Sequence, residues 1–174
     1  MKILITNCLL RKTFDILNIL KIRFNDDDII YAGDESFVKI RLIYGKVNFH
    51  RLSEHNFEND LNAISKKYKN ESIIYFPIEE AITINFYNYI NKFGNKNFKY
   101  KLPTFSTYNL SRNKNELNIF CESKKISCPK YYSEIDIKQK NYQLPIIIKP
   151  INGSGSKGIE YITSNNDLDI DSIN

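Results

Sequence analysis

The chain has 174 residues, of which 42% are hydrophobic and 13% aromatic, so it can bury a core and is not expected to be disordered. Its formal net charge is +5, but the lysines are scattered among acidic residues, which argues against a nucleic-acid partner. The longest apolar runs fall far below the ~20 residues that cross a bilayer, and the apolar start lacks a cleavage site. Neither a membrane span nor a signal peptide is therefore expected.

The cysteines indicate a compartment. Cys8, Cys121 and Cys128 are odd in number and do not have the spacing of metal ligands. They are interpreted as reduced thiols, which predicts a cytoplasmic protein.

Strands are predicted where short apolar runs occur, and helices where apolar residues recur every three or four positions. The predicted strands cover residues 3–5, 28–32, 72–76 and 98–102, and the predicted helices cover residues 11–21, 53–68 and 79–93. Residues 37–51 alternate around Tyr44-Gly45, which predicts a β-hairpin or two short edge strands. The order of these elements indicates an α/β fold with a Rossmann-like, mostly parallel sheet flanked by helices.

The character of the chain changes after residue 103, and a domain boundary is predicted between residues 1–103 and residues 104–174. A helix is expected over residues 112–125, with its apolar side chains turned inward, namely Leu117, Phe120 and Cys121. The other segments are predicted as a polar turn region, a charged connector, a strand and a returning strand, over residues 104–111, 134–141, 144–149 and 159–162 respectively.

A glycine- and serine-rich loop joins the last two strands. The first strand ends in Lys149-Pro150, and the loop continues through Gly153-Ser154-Gly155-Ser156-Lys157-Gly158. Such a loop can offer several backbone N–H groups and hydroxyls to one anion, and its glycines let the backbone approach a polyphosphate. It is not a Walker loop, because a strand follows it instead of a helix. Taken alone, it also fits a flexible hairpin tip without a function, and its glycines predict that it is the least ordered internal segment.

These segments resemble those of a known enzyme family. LPIIIKPINGSGSKGIEYI resembles the ATP-grasp signature of carbamoyl-phosphate synthase large subunits and biotin carboxylases, in which a strand ending in Lys-Pro or Lys-Ala precedes a Gly/Ser-rich flap. LSRNKNELNIFCESKKISCPKYY is similar to the family's segment in which a lysine begins a helix, and ESIIYFPIEEAI and KILIT resemble parts of its preceding domain. The resemblance implies a pre-ATP-grasp domain over residues 1–103 and the N-terminal portion of an ATP-grasp domain, truncated, over residues 104–174.

The resemblance also implies a chemistry. A complete family member is a ligase that uses MgATP to phosphorylate a small carboxylate substrate and lets an amine or thiol attack the acyl phosphate. Lys114 and Lys149 would contact ATP, and the loop from Gly153 to Gly158 would fold over its β- and γ-phosphates. The family's adenine hinge, Mg²⁺ ligands and catalytic residues would lie beyond Asn174. These residues alone would then be inactive and bind ATP weakly or not at all.

Two departures from the family leave other interpretations open. Asn113 stands where the family often has aspartate, and the loop Thr6-Asn-Cys-Leu-Leu10 lacks the family's glycines. The chain could instead be a non-catalytic Rossmann-like module that binds a nucleotide or a peptide, or a degenerate family member used for assembly. A homodimer is also open. The acid and the acceptor cannot be read from these residues.

Overall fold

The computed structural model describes residues 1–153 and 158–164. The chain separates into a first unit, Met1–Leu102, and a second unit, Pro103–Asn174. No helix among the described residues is both long enough and apolar enough to cross a membrane.

The first unit contains a five-stranded sheet with the order β3-β2-β1-β4-β5, in which every neighbouring pair is parallel. Its elements are β1 (Lys2–Thr6), α1 (Arg11–Leu20), β2 (Ile29–Gly33), α2 (Phe37–Tyr44), β3 (Asn48–Arg51), α3 (Phe57–Lys67), β4 (Ile73–Phe76), α4 (Glu80–Phe93) and β5 (Phe98–Lys99). The predicted α/β fold with a parallel sheet flanked by helices is confirmed. The strand order is consistent with a Rossmann-like, doubly wound sheet.

Alternating side chains of the central strands form two hydrophobic cores. Leu4 of β1 and Ile30 of β2 belong to the core that α3 and α4 cover, whereas Ile5 and Tyr31 belong to the core that α1 and α2 cover. From β1 the chain adds β2 and β3 on one side of the sheet and then β4 and β5 on the other side. Because parallel crossovers share one hand, this change of direction places the two pairs of helices on opposite faces. Full burial of each such side chain stabilises the fold by about 1.5–3 kcal/mol.

The prediction of a β-hairpin or two short edge strands over residues 37–51 was only partly right, because the first of the two segments is a helix and only the second is a short edge strand. These residues form α2, which ends at Gly45 with φ 75°, and then β3, which pairs in parallel with β2. Only Ile40 of α2 is buried, while Val38 and Leu42 are 64% and 80% exposed. The apolar alternation therefore arose from apolar residues on the solvent-facing side of a helix. The predicted strand over residues 98–102 is also shorter, because only Phe98–Lys99 pairs with β4.

The second unit combines three helices with one hairpin in its described part. Its elements are α5 (Phe105–Arg112), α6 (Lys114–Ser123), α7 (Glu134–Lys138), β6 (Ile146–Ile148) and β7 (Glu160–Ile162). β6 and β7 pair antiparallel, which confirms the predicted strand and returning strand. A small core forms around Ile137, Ile146 and Ile162.

Three expectations for the second unit were wrong. The predicted turn region is α5, whose N-terminus is capped by the Thr104 hydroxyl, and the predicted connector contains α7, which Ser133 caps. Leu117 and Phe120 do not turn inward, since they are 37% and 39% exposed, and Cys121 is only partly buried. The helices α5 and α7 begin at capping side chains and lack the apolar stripe from which helices were predicted.

Candidate functional site

Lys114, one of the predicted ATP contacts, is the first residue of α6. The preceding Asn113 caps this helix, because its side-chain oxygen accepts hydrogen bonds from the backbone N–H groups of Asn115 and Glu116, both at 3.1 Å. Asparagine and aspartate are comparable N-caps, so the departure from the family's aspartate leaves the helix start intact. It also leaves fewer free donors for an anion at this helix end.

Lys114 joins α6 to the loop that follows β6. Its backbone N–H donates to the carbonyl oxygen of Ile151 at 3.0 Å. Its ammonium group donates to the carbonyl oxygens of Ile151 and Gly153 at 3.3 and 3.1 Å, across 37 and 39 residues of sequence. The structure therefore brings this lysine to the base of the predicted phosphate loop. Carbonyl partners position the ammonium group but do not neutralise its charge.

Two glycines shape the described ends of this loop. Gly153 has φ 113° and Gly158 has φ 66°, conformations that residues with a Cβ rarely adopt. A Cβ at Gly158 would lie 3.0 Å from Cγ of Pro150, so the loop returns closely over a residue just beyond the end of β6. The glycine positions are thus required by the backbone.

Lys149 is exposed at the end of β6, and no ion pair of this lysine is found among the described residues. The inner loop residues Ser154, Gly155, Ser156 and Lys157 lie outside the described part of the chain. Their contacts with phosphate, and the expected low order of the loop, stay predictions.

A second polar site lies in the first unit, at the carboxyl ends of the parallel strands. A cavity of about 290 Å³, the edge cavity, is bordered by residues that follow or end β1, β2 and β3 and by one residue of α4, namely Thr6, Asn7, Gly33, Asp34, Glu35, Leu52, Glu54, His55 and Ile82. Ligands of open α/β sheets bind beyond this edge, next to the strand where the winding direction changes. That strand is β1.

Three residues that line the edge cavity each carry a fully buried polar atom without a partner among the described residues. Thr6 Oγ1, Asn7 Oδ1 and Glu35 Oε2 have no hydrogen-bond partner among the described residues. A buried polar atom left unpaired costs about 1–3 kcal/mol, so three of them at one cavity are unusual. The other Glu35 oxygen accepts from the backbone N–H of Leu9 at 3.3 Å, which holds the carboxylate in place. Gly33 leaves room for it, because a Cβ there would lie 1.7 Å from Glu35 Oε2.

The edge cavity is acidic. Asp34, Glu35 and Glu54 contribute carboxylates, and no lysine or arginine is among the described residues that line it. Asp34 forms an ion pair with the exposed Arg51 at 3.3 Å. Glu35 and Glu54 form no ion pair with a lysine or arginine among the described residues. The local potential therefore favours cations and disfavours phosphates.

The loop that follows β1 is held in place by a side chain of α1. The hydroxyl of Thr13, a buried residue of α1, donates to the carbonyl oxygen of Asn7 at 2.7 Å. Behind the loop, burial, with a smaller contribution from Glu35, raises the pKa of the Cys8 thiol to about 12. This thiol stays protonated near neutral pH and is a poor nucleophile. None of the three cysteines forms a disulfide.

The sequence interpretation named the loop Thr6-Asn-Cys-Leu-Leu10 only for its missing glycines and did not consider Glu35. Thr6 ends β1 and Asn7 follows it, whereas Glu35 follows β2, and the parallel register of β1 with β2, in which Thr6 pairs with Ala32, brings these strand ends together. The signal that could have found them is the polar residue after each predicted parallel strand.

Comparison of the chain with protein-family models, curated proteins and solved structures found no match. The ATP-grasp resemblance therefore stays a prediction from the sequence.

Proposed function

We propose that the second unit supplies the phosphate-binding loop of an ATP-grasp ligase, which activates a carboxylate as an acyl phosphate with MgATP before an amine or a thiol attacks. The observation that carries the proposal is the contact of Lys114 with the carbonyl oxygens of Ile151 and Gly153. It supports a shared role for α6 and the β6–β7 loop, which the family resemblance also assigns to one site.

Lys114, Lys149 and the loop would act on the nucleotide through electrostatic interactions. Phosphoryl transfer depends on positioning and on stabilising charge at the transferred group. Lys114 keeps its net charge while two carbonyls hold it in place, and Lys149 lies exposed at the start of the same loop. The positive φ angles of Gly153 and Gly158 suit a backbone that curves around an anion.

The Mg²⁺ of this reaction is not assigned to the described residues. They contain no group of three or more His, Cys, Asp or Glu side chains that could hold a metal ion. The proposal therefore concerns nucleotide binding by the loop. A cytoplasmic location would match both the free thiols and the supply of ATP.

A non-catalytic binding module is the second candidate, and the edge cavity favours it. In that case the first unit would hold a ligand and the β6–β7 loop would be a structural turn. The two candidates differ in where a nucleotide perturbs the protein.

The test is a titration of the 174-residue chain with MgATP, followed by ¹H–¹⁵N spectra. We expect saturable shifts at the amides of Lys114, Gly153 and Gly158, with a dissociation constant of about 1 mM, equivalent to about −4 kcal/mol. Lys114→Met should weaken this binding roughly two- to fivefold, since an exposed charge contributes about 0.5–1 kcal/mol.

Lys125→Met is the matched control, because Lys125 is an exposed lysine just beyond the opposite end of α6 and loses the same charge. It should bind MgATP like the unaltered chain. Shifts confined to the first unit, or equal weakening by both substitutions, would contradict the proposal, the latter by showing that only net charge matters.

A further inference from the structure

We propose that the helix layer formed by α1 and α2 of the first unit docks on a lipid bilayer whose head groups are anionic. This basic layer comprises residues 11–24 and 37–46, which are the two helices and the residues that follow each of them. It is separate from the β6–β7 loop, and the proposal does not depend on the nucleotide proposal. The exposed apolar side chains and the charge of the layer point to this partner.

The two helices form one layer over the sheet. Leu17 of α1 and Ile40 of α2 belong to the same hydrophobic core beneath them. The rings of Phe14 in α1 and Tyr44 in α2 stack against each other, with their centroids 5.3 Å apart. The outward-facing side chains of the two helices therefore share one side of the first unit.

The basic layer exposes a group of apolar residues. Six of its large apolar side chains are at least half exposed, namely Ile19, Ile22, Phe37, Val38, Leu42 and Ile43. The fully described helices α3 and α4, which cover the opposite face of the sheet, have no exposed large apolar side chain. A single exposed apolar residue is ordinary, whereas a group of them on one layer marks an interaction surface.

The same layer is strongly basic. It contains seven lysines and arginines and a single acid, Asp15, whereas α3 and α4 together contain three cations and three acids. Lys12 and Lys21 are paired with Glu79 and Asp26. The other five cations are exposed and form no ion pair among the described residues, namely Arg11, Arg23, Lys39, Arg41 and Lys46. An anionic partner would complement this charge.

The arrangement of side chains in α2 suits a lipid surface. Val38 and Leu42 lie one turn apart on the same line of the helix, and Lys39 and Arg41 lie on opposite sides of that line. Aliphatic side chains can insert among acyl chains while long cationic side chains extend to the head groups. Each lysine or arginine near an anionic bilayer strengthens the binding. Such docking needs no membrane-spanning helix.

Other partners fit this composition less well. A two-fold dimer through the layer would place two copies of the same basic surface against each other. The buried centre of a protein interface is depleted of charge and rich in aromatic residues. Here cations lie between the apolar residues, and Phe37 is the one aromatic among the six exposed apolar side chains. The phosphates of a nucleic acid would use the cations but leave these apolar side chains without a partner.

The test is co-sedimentation of the 174-residue chain with vesicles of two compositions. One is phosphatidylcholine alone, which is neutral, and the other contains equal amounts of phosphatidylcholine and the anionic phosphatidylglycerol. At low ionic strength we expect partitioning into the anionic vesicles to be roughly tenfold stronger or more. Added salt should weaken it. Absence of binding to the anionic vesicles, or equal binding to both compositions, would overturn the proposal.

Two pairs of variants locate the binding surface. Lys39→Gln should lower partitioning roughly three- to fivefold. Its matched control is Lys66→Gln, the same change at an exposed lysine of α3, which should leave partitioning unchanged. Leu42→Gln should lower partitioning roughly tenfold, whereas Leu42→Met, which keeps an apolar side chain, should retain it. These side chains are exposed, so the substitutions should leave the fold intact.

The variants can also contradict the proposal. Equal losses in Lys39→Gln and Lys66→Gln would show that only net charge matters, and unchanged partitioning of Leu42→Gln would show that α2 does not insert. A dimer that Leu42→Gln dissociates, found together with a lack of vesicle binding, would assign the basic layer to a second copy of the chain. Each of these results would overturn the proposal.

Discussion

Replacing Asn97 with aspartate should destabilise the first unit strongly, although the two side chains have nearly the same shape. The Asn97 amide nitrogen donates to the carbonyl oxygens of three residues around the end of α3, namely Ser65 at 3.3 Å, Tyr68 at 2.8 Å and Glu71 at 3.1 Å. Its side-chain oxygen accepts from the Ser65 hydroxyl at 2.7 Å. One side chain thus ties the α3–β4 connection to the residue that precedes β5.

The size of the destabilisation follows from which hydrogen bonds aspartate keeps and which it loses. Aspartate keeps the acceptor for the Ser65 hydroxyl but places an anionic oxygen where the amide nitrogen faces three carbonyls. Each hydrogen bond contributes about 0.5–1.5 kcal/mol net, and each partly buried carbonyl left unpaired adds to the cost. We expect the free energy of unfolding to fall by about 2–4 kcal/mol.

Native-state amide exchange measures this change within the first unit alone. The slowest amides of β1 and β2 should exchange roughly 30- to 700-fold faster in Asn97→Asp, since 1.4 kcal/mol corresponds to a factor of ten. Asn95→Asp is the control, because the Asn95 side-chain oxygen only accepts a hydrogen bond from the Tyr100 hydroxyl, a role that aspartate retains. Its effect should stay within about 0.5 kcal/mol. Equal exchange in Asn97→Asp and the unaltered chain would refute the reasoning.

Two further predictions concern pH and the loop. Burial, followed by the Lys67 cation, lowers the pKa of His50 from 6.5 to about 4. The unfolded chain takes up this proton at higher pH, so the free energy of unfolding should decrease as the pH falls from 6.5 to about 4, by on the order of 1–2 kcal/mol after allowance for partial exposure. Urea unfolding across this range should show a flatter pH dependence in His50→Gln, and identical curves would contradict the prediction. Gly158→Ala should speed amide exchange in β6 and β7, since it adds left-handed strain of about 1 kcal/mol and a close contact with Pro150. Unchanged amide exchange in both strands would contradict this prediction.

The strands that the sequence predicts best are those buried on both faces. Residues 3–5 and 29–32 form short, fully buried apolar runs, and a parallel sheet covered by helices requires such runs. The α2 helix could not be predicted in this way, because Val38 and Leu42 are apolar yet exposed. Apolar residues on both sides of a helix erase the helical period.

The two candidate sites also differ in how far they could be predicted from the sequence. Lys114 and the β6–β7 loop were found by resemblance, but their direct contact joins residues 37 positions apart and depends on how the chain between them folds. The polar residues of the edge cavity carry no local pattern, because Thr6 and Glu35 line one cavity only through the register of β1 and β2. Strand ends can be predicted from the sequence, but the pairing of the strands decides which of these ends line the same cavity.

The most direct test of the nucleotide proposal is a comparison of ATP, ADP and AMP, each with Mg²⁺, binding to the unaltered chain. The proposal places the terminal phosphates at Lys114 and the β6–β7 loop, so the affinity measured at the Gly153 and Gly158 amides should decrease from ATP to ADP and vanish for AMP. Each lost charged contact should reduce affinity roughly two- to fivefold. Equal affinities for the three nucleotides, or shifts confined to the first unit, would contradict the account.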